Sequence, residues 1–257
     1  MPRFAANLSL LFTEYPLPQR FAHAAAAGFG AVEIQFPYDH PAEALAAAAR
    51  AAGTPVILIN VPAGDLMAGG PGLASHPGRR DDFAAALPQA LHYAQTLGVP
   101  LLNILPGRLA AGHSRQACLA TLAANLQLAA DFFAPHGLRL CCEAINDLDM
   151  PGFLLRTPDE VAQLLSDIPQ AGIGLQIDIY HAARMNLDIP ALLARHLPQA
   201  AHIQFADYPG RGEPGSGTLP LPDYFDFIGK NGYTGWLGAE YRPTAASHST
   251  LGWLAYC

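Results

Sequence analysis

Apolar residues in this chain fall into short runs, and each run is followed by a stretch with helical spacing. The first run predicts a strand over residues 4–11, followed by a helix over 18–27 that Gly28 stops. A strand over 31–36 comes next, with Glu33 and Gln35 on alternate positions, and then an Ala-rich helix over 41–52 with proline in its first turn and Gly53 after its end. Residues 55–60 form an aliphatic strand, and a Gly/Pro loop fills 61–80. A loop of that length inside a compact fold is usually functional. A helix over 81–97, a strand over 100–105 and a long helix over 114–133 follow, the last with Ser114 as its N-cap.

The second half keeps the rhythm. A strand ends at Glu143. A capping box from Thr157 to Glu160, with Pro158 at the first helical position, opens the next helix. A strand ends at Asp178, a helix covers 189–196, and a strand ends near Gln204 to Asp207. After a Gly/Pro loop, 209–217, come a helix over 222–231, a strand ending at Glu240, and a last helix within 244–256. The strand–helix unit thus occurs eight times. Such alternation implies a parallel sheet. Eight units in a chain of 257 residues match the size of a TIM barrel, about 250 residues. The expected architecture is an α/β fold, one (β/α)8 barrel domain spanning residues 1–257. A doubly wound sheet is disfavoured, because no Gly-rich phosphate fingerprint follows the first strand.

Composition narrows the function. Half the residues are apolar, enough for a large core. The net charge of −7 argues against a nucleic-acid partner. No signal peptide is recognisable, and no apolar run reads as a membrane span. Cys118, Cys141, Cys142 and Cys257 show no metal or redox spacing, so reduced thiols and a cytoplasmic location are expected.

Four consecutive strands each deliver one oxygen-bearing side chain: Glu143, Asp178, Gln204 and Glu240. A bare carboxylate at the end of a buried strand is costly without a partner. Taken singly, each is an ordinary polar residue at a strand–loop junction. Together they predict a hard-metal site at one mouth of the barrel, and all-oxygen donors favour one divalent ion, Mg²⁺ or Mn²⁺. His181, three residues after Asp178, is a candidate to hydrogen-bond a substrate oxygen. Arg211 and Arg242 are candidates to clamp a carboxylate.

The segments Arg3–Ser9, Phe36–Asp39, Pro62–Asp65, Glu143–Asn146, Asp178–His181, Arg211–Gly217 and Glu240–Pro243 resemble the hydroxypyruvate isomerase family of xylose-isomerase-like TIM barrels, from the first strand to about Pro243. The resemblance implies one divalent metal at Glu143, Asp178, Gln204 and Glu240, with the two glutamates as proton donor and acceptor. It implies a small hydroxy/oxo acid substrate and interconversion of hydroxypyruvate and 2-hydroxy-3-oxopropanoate (tartronate semialdehyde). A close branch acts on 2-oxotetronate. Cys141-Cys142, the segment after His181 and Pro220-Leu221-Pro222 depart from the family pattern and bear on substrate choice. The alternatives are an epimerase of larger ketoses, a metal-dependent endonuclease and a non-catalytic sugar-acid binder. An endonuclease would need several strand-end histidines and a basic face. Retention of both glutamates argues against the binder. A homo-oligomer is left open.

Overall fold

A computed structural model describes residues 2–256 of the chain. Its eight strands are β1 (Arg3–Asn7), β2 (Ala31–Ile34), β3 (Val56–Asn60), β4 (Leu101–Ile104), β5 (Arg139–Glu143), β6 (Gly174–Asp178), β7 (Ala200–Phe205) and β8 (Trp236–Ala239). All neighbours are parallel, and β8 closes on β1 through pairs from Arg3–Trp236 to Ala6–Ala239. The connections carry α1 (Leu17–Ala26), α2 (Ala42–Ala52), α3 (Arg80–Leu97), α4 (Arg115–Phe133), α5 (Pro158–Ser166), α6 (Ile179–Arg184), α7 (Ile189–His196) and α8 (Leu221–Lys230). The expected α/β TIM barrel is therefore what the chain forms.

The strand period of two divides the residues between two environments. Outward-facing Phe4, Ala6, Val32, Ile34, Ile59, Leu102, Leu140, Cys142, Leu175, Ile177, Ile203 and Leu237 join the helices in the main core. Inward-facing Ala5, Ala31, Leu58, Leu101 and Cys141 fill the N-terminal end of the barrel. Above them the interior turns polar: Glu33, Asn103, Glu143, Gln176, Asp178, His202 and Gln204 are all buried. Gly238 makes room for this layer, because a Cβ there would lie 2.5 Å from Glu33 Oε2. The central layer thus exchanges hydrophobic packing for a hydrogen-bonded network.

The caps behave as their residue types require. Ser114 accepts from the Ala117 N–H, and Gly53 takes the left-handed conformation that ends α2. Thr157 accepts from the Glu160 N–H, but Glu160 returns its bond to the Arg156 N–H rather than to Thr157, so the capping box closes one residue early.

Three sequence expectations need correction. The segment after Asp178, to which the sequence assigned no element, is the short helix α6. The tail forms 3-10 turns, Ser247–Thr250 and Gly252–Tyr256, in place of a last helix. Its Ser and Thr hydroxyls bond nearby carbonyls, Ser249 to Ala246 and Thr250 to Ser247, which competes with helical pairing. Trp253 still closes the barrel wall by packing edge-on against Phe4 and Phe205, with centroids 5.1 and 5.3 Å away. Finally, residues Arg115–His136 are long and apolar enough for a membrane span by length and composition. In the fold this stretch lies on the barrel, with Leu122, Leu126, Ala129 and Phe133 in the core. Cys118, Cys141 and Cys142 are buried free thiols; Cys257 lies outside the described residues.

Candidate active site

A cavity of about 260 Å³ opens at the C-terminal mouth of the barrel. Glu143, Gln204, Glu240, His181, Arg211 and Arg242 all line it. Asp178 stands at the end of β6 beside them, with its Oδ2 buried, 3.5 Å from His181 Nε2 and 3.7 Å from Arg211. The structure therefore brings all seven candidate residues to one place, but it does not make them equivalent.

Each carboxylate is held by specific partners. Glu143 Oε2 accepts from Asn103 Nδ2 and Gln176 Nε2, both at 2.9 Å. Glu240 Oε1 accepts from Gln35 Nε2 at 2.6 Å and from Arg211 at 2.9 Å. Asp178 doubles as the N-cap of α6: its Oδ1 accepts from the N–H groups of Tyr180 and His181. That leaves Oδ2 buried with no hydrogen-bond partner among the described residues.

Burial sets the electrostatics. It pushes Glu143 well above the ordinary carboxylate range, and the nearby charges of Glu240 and Asp178 add to the effect. Burial also raises Glu240, to about 8, although Arg211 pulls against it. Burial drives His181 down to about 4, so the imidazole is neutral near pH 7. Asn146 fixes its tautomer. The Asn146 side-chain oxygen accepts from the Asp149 N–H, which turns Nδ2 toward His181 Nδ1 at 2.6 Å. Nδ1 is then the acceptor, and Nε2–H faces Asp178 and the cavity.

Glu143, Asp178 and His181 place donor atoms within 4.8 Å of one another, a group able to hold a metal ion. The tautomer just described makes His181 Nε2 a proton donor, so the carboxylates and the Gln204 amide oxygen form the better donor set. A divalent cation fits them on two counts: Asp178 Oδ2 is an orphaned buried acceptor, and Asp178, Glu143 and Glu240 stand close enough for their charges to act on one another.

The two arginines differ. Arg211 is partly buried, lies 5.0 Å from the Tyr180 ring centroid, and keeps its Nε buried without a partner among the described residues. It sits on the loop after β7 with a left-handed φ of 56°. Asp207 anchors that loop: its buried carboxylate accepts the N–H groups of Tyr208, Gly215, Gly217 and Leu219 at 2.8–2.9 Å. Asp207→Ala is expected to cost about 3 kcal/mol, since unsatisfied buried groups cost about 1–3 kcal/mol each. Chemical denaturation checks this, with faster protease cleavage within 209–217 as the local readout. Arg242 instead lies exposed at the rim, with no side-chain hydrogen bond or ion pair among the described residues.

Several site residues escaped the sequence reading. Gln35, Asn60, Asn103, Gln176 and Arg108 line or support the cavity. Their one signal was a polar residue at an alternate position of an apolar strand, and Arg108 had none. His202 pairs with Glu33 at 2.6 Å beneath the site.

A closed parallel barrel with a buried carboxylate cluster able to hold a metal ion at its C-terminal mouth has the layout of a TIM-barrel enzyme. The chain belongs to the xylose isomerase-like TIM barrel family, whose model matches residues 21–257. Within that family it belongs with the hydroxypyruvate and 2-oxotetronate isomerases and is an enzyme of the isomerase class. It is 41% identical to a 2-oxo-tetronate isomerase of Cupriavidus necator, over 99% of this chain and 98% of that protein. It is 38% identical to the hydroxypyruvate isomerase of Escherichia coli, with the same coverage. A solved Brucella melitensis protein described as an AP endonuclease, family 2, shares 39% identity and a TM-score of 0.96, covering 100% of this chain and 99% of that one.

Proposed function

We propose that this protein interconverts hydroxypyruvate and 2-hydroxy-3-oxopropanoate by proton transfer through an enediolate. The carrying observation is the pair of buried glutamates, Glu143 on β5 and Glu240 after β8, both raised above the ordinary carboxylate range by burial. Carboxylates in water are too weak as bases for this work, and burial brings them toward the operating pH.

The C3 hydrogens of hydroxypyruvate are acidic because the C2 carbonyl accepts the charge. One glutamate takes a C3 proton, and the other returns a proton at C2. The hydroxyl proton leaves O3, and O2 gains one, so the product is the isomeric aldehyde. His181 Nε2–H and the unpartnered Nε of Arg211 are donors for the oxygens that gain charge. Arg242, open at the rim, is placed to take the substrate carboxylate through two parallel hydrogen bonds. Glu143, Asp178, Gln204 and Glu240 would hold a divalent cation, Mg²⁺ or Mn²⁺. When bound, that cation supplies positive charge that polarises the carbonyl and lowers the cost of the enediolate.

The relatives named 2-oxo-tetronate isomerase favour a second reading, in which the substrate carries one more carbon. An endonuclease reading lacks support. His181 is the one histidine lining the cavity among the described residues, and the chain carries seven more acidic than basic residues.

Proton NMR in D₂O, with Mg²⁺ or Mn²⁺ and again after chelation, tests this directly. Metal-dependent conversion with deuterium entering the product is expected, and the faster of hydroxypyruvate and 2-oxotetronate names the substrate. A folded, metal-loaded protein that converts neither acid would overturn the proposal.

A further inference from the structure

Beneath the glutamates, Glu33 and Gln176 belong to a polar layer and have no part in the proposed reaction. Glu33 is fully buried on β2, and its carboxyl oxygens serve as hydrogen-bond acceptors for side chains of β1 and β7. Its Oε1 accepts from Asn7 Nδ2 at 2.8 Å and from Gln204 Nε2 at 2.7 Å, while His202 Nε2 lies 2.6 Å from Oε2. The Gln204 amide must therefore turn its NH₂ toward Glu33 and its oxygen away. That oxygen accepts from Gln176 Nε2 at 2.7 Å. The Gln176 NH₂ has a second hydrogen, which goes to Glu143 Oε2 at 2.9 Å. Asn103 adds another donor to that same oxygen. A directional relay of amides thus runs from Glu33 across the barrel to Glu143, and it loads one Glu143 oxygen with two donors while leaving Oε1 for the cavity.

We propose that Glu33 is a positioning residue: its Oε1, which accepts from the Gln204 amide, sets the polarity of the Gln204–Gln176 relay. It thereby decides which face of the Gln204 amide and which oxygen of Glu143 meet the reacting groups. The proposal rests on the site reading above, in which Glu143 moves a proton and Gln204 offers an oxygen to the cation. An amide at position 33 would keep the shape but could pair with Gln204 in either sense, so the relay would lose its direction.

The test is Glu33→Gln, read by the side-chain amide resonances of ¹⁵N-labelled protein, with Gln204 and Gln176 assigned by their loss in Gln204→Met and Gln176→Met. In the wild type each amide is expected to give one resolved pair. In Glu33→Gln these pairs should split or broaden. Mn²⁺ affinity by calorimetry and kcat should each fall about 10- to 100-fold, as is usual when a residue behind a metal ligand is altered. KM should stay within about twofold of wild type, which a general loosening of the barrel would not preserve. Unchanged Gln204 and Gln176 resonances in folded Glu33→Gln would overturn the proposal, as would changed resonances with wild-type affinity and turnover. Gln176→Met supplies a second arm should Glu33→Gln not fold. It cuts the relay beyond Gln204, so the Gln204 pair is expected to persist, and its loss would place control at the Glu143 end instead. If the wild type bound neither Mg²⁺ nor Mn²⁺, the metal reading would fall, while the amide resonances would still decide the role of Glu33.

Discussion

Glu143→Gln and Glu240→Gln are each expected to lower turnover of the proposed acid by about a thousandfold, within the range of about 10²–10⁴ ascribed to general acid–base groups. Both substitutions keep shape and relieve the mutual repulsion of the cluster, so the fold should hold and melt no lower than wild type. The two variants should differ in one respect. Loss of the abstracting group abolishes exchange of the C3 hydrogens with D₂O as well as product formation. Loss of the delivering group stops product while leaving C3 exchange partly alive. NMR of the recovered substrate separates the cases and assigns the two roles. Calorimetry with Mn²⁺ then shows how much of either loss comes through weaker metal binding. If either variant kept more than a tenth of wild-type turnover, that glutamate would not be a proton-transfer group.

The barrel was legible because its rhythm is local. Strand runs, capping residues and stop glycines lie next to the elements they define, and Gly53, Ser114 and Thr157 do in the fold what their positions predict. The strand-end oxygens were legible for the same reason, since a polar residue closing an apolar run stands out. What crosses the barrel was not. Glu33 and His202 pair over a separation of 169 residues, between strands that are not neighbours in the ring. Nothing in either strand names its partner. The helix α6 was hidden because Asp178 carries two duties, capping and facing the site, and only the second was read. His181 is consequently buried on a helix, in a stretch to which the sequence assigned no element. The two arginines looked alike in sequence. A left-handed turn at residue 211, on a loop pinned by Asp207, sends one inward, and the other stays at the rim.

The inward arginine makes a sharp stability prediction. In metal-free protein Arg211→Met should be only slightly less stable than wild type near pH 6, and the gap should open above pH 8. Arg211 holds Glu240 down against its burial, at a value of about 8 that is already far above that of an unfolded chain. A carboxyl raised on folding binds its proton more tightly in the native state, so it costs stability progressively as pH climbs from the unfolded value toward the folded one. Below about pH 8 the Glu240 of both proteins is protonated, and its charge imposes no difference between them. Removing the guanidinium pushes Glu240, and Glu143 with it, higher still. The wild type then stops losing stability above pH 8, whereas the variant goes on losing it, toward the 3 kcal/mol or so expected when a buried ion pair loses one partner. A small constant offset remains from the contacts to Asp178 and the Tyr180 ring. Urea denaturation of both proteins with chelator present, at pH 6, 8 and 9, measures the gap. A difference that stays flat across that range would mean that Arg211 packs the site without balancing its charge.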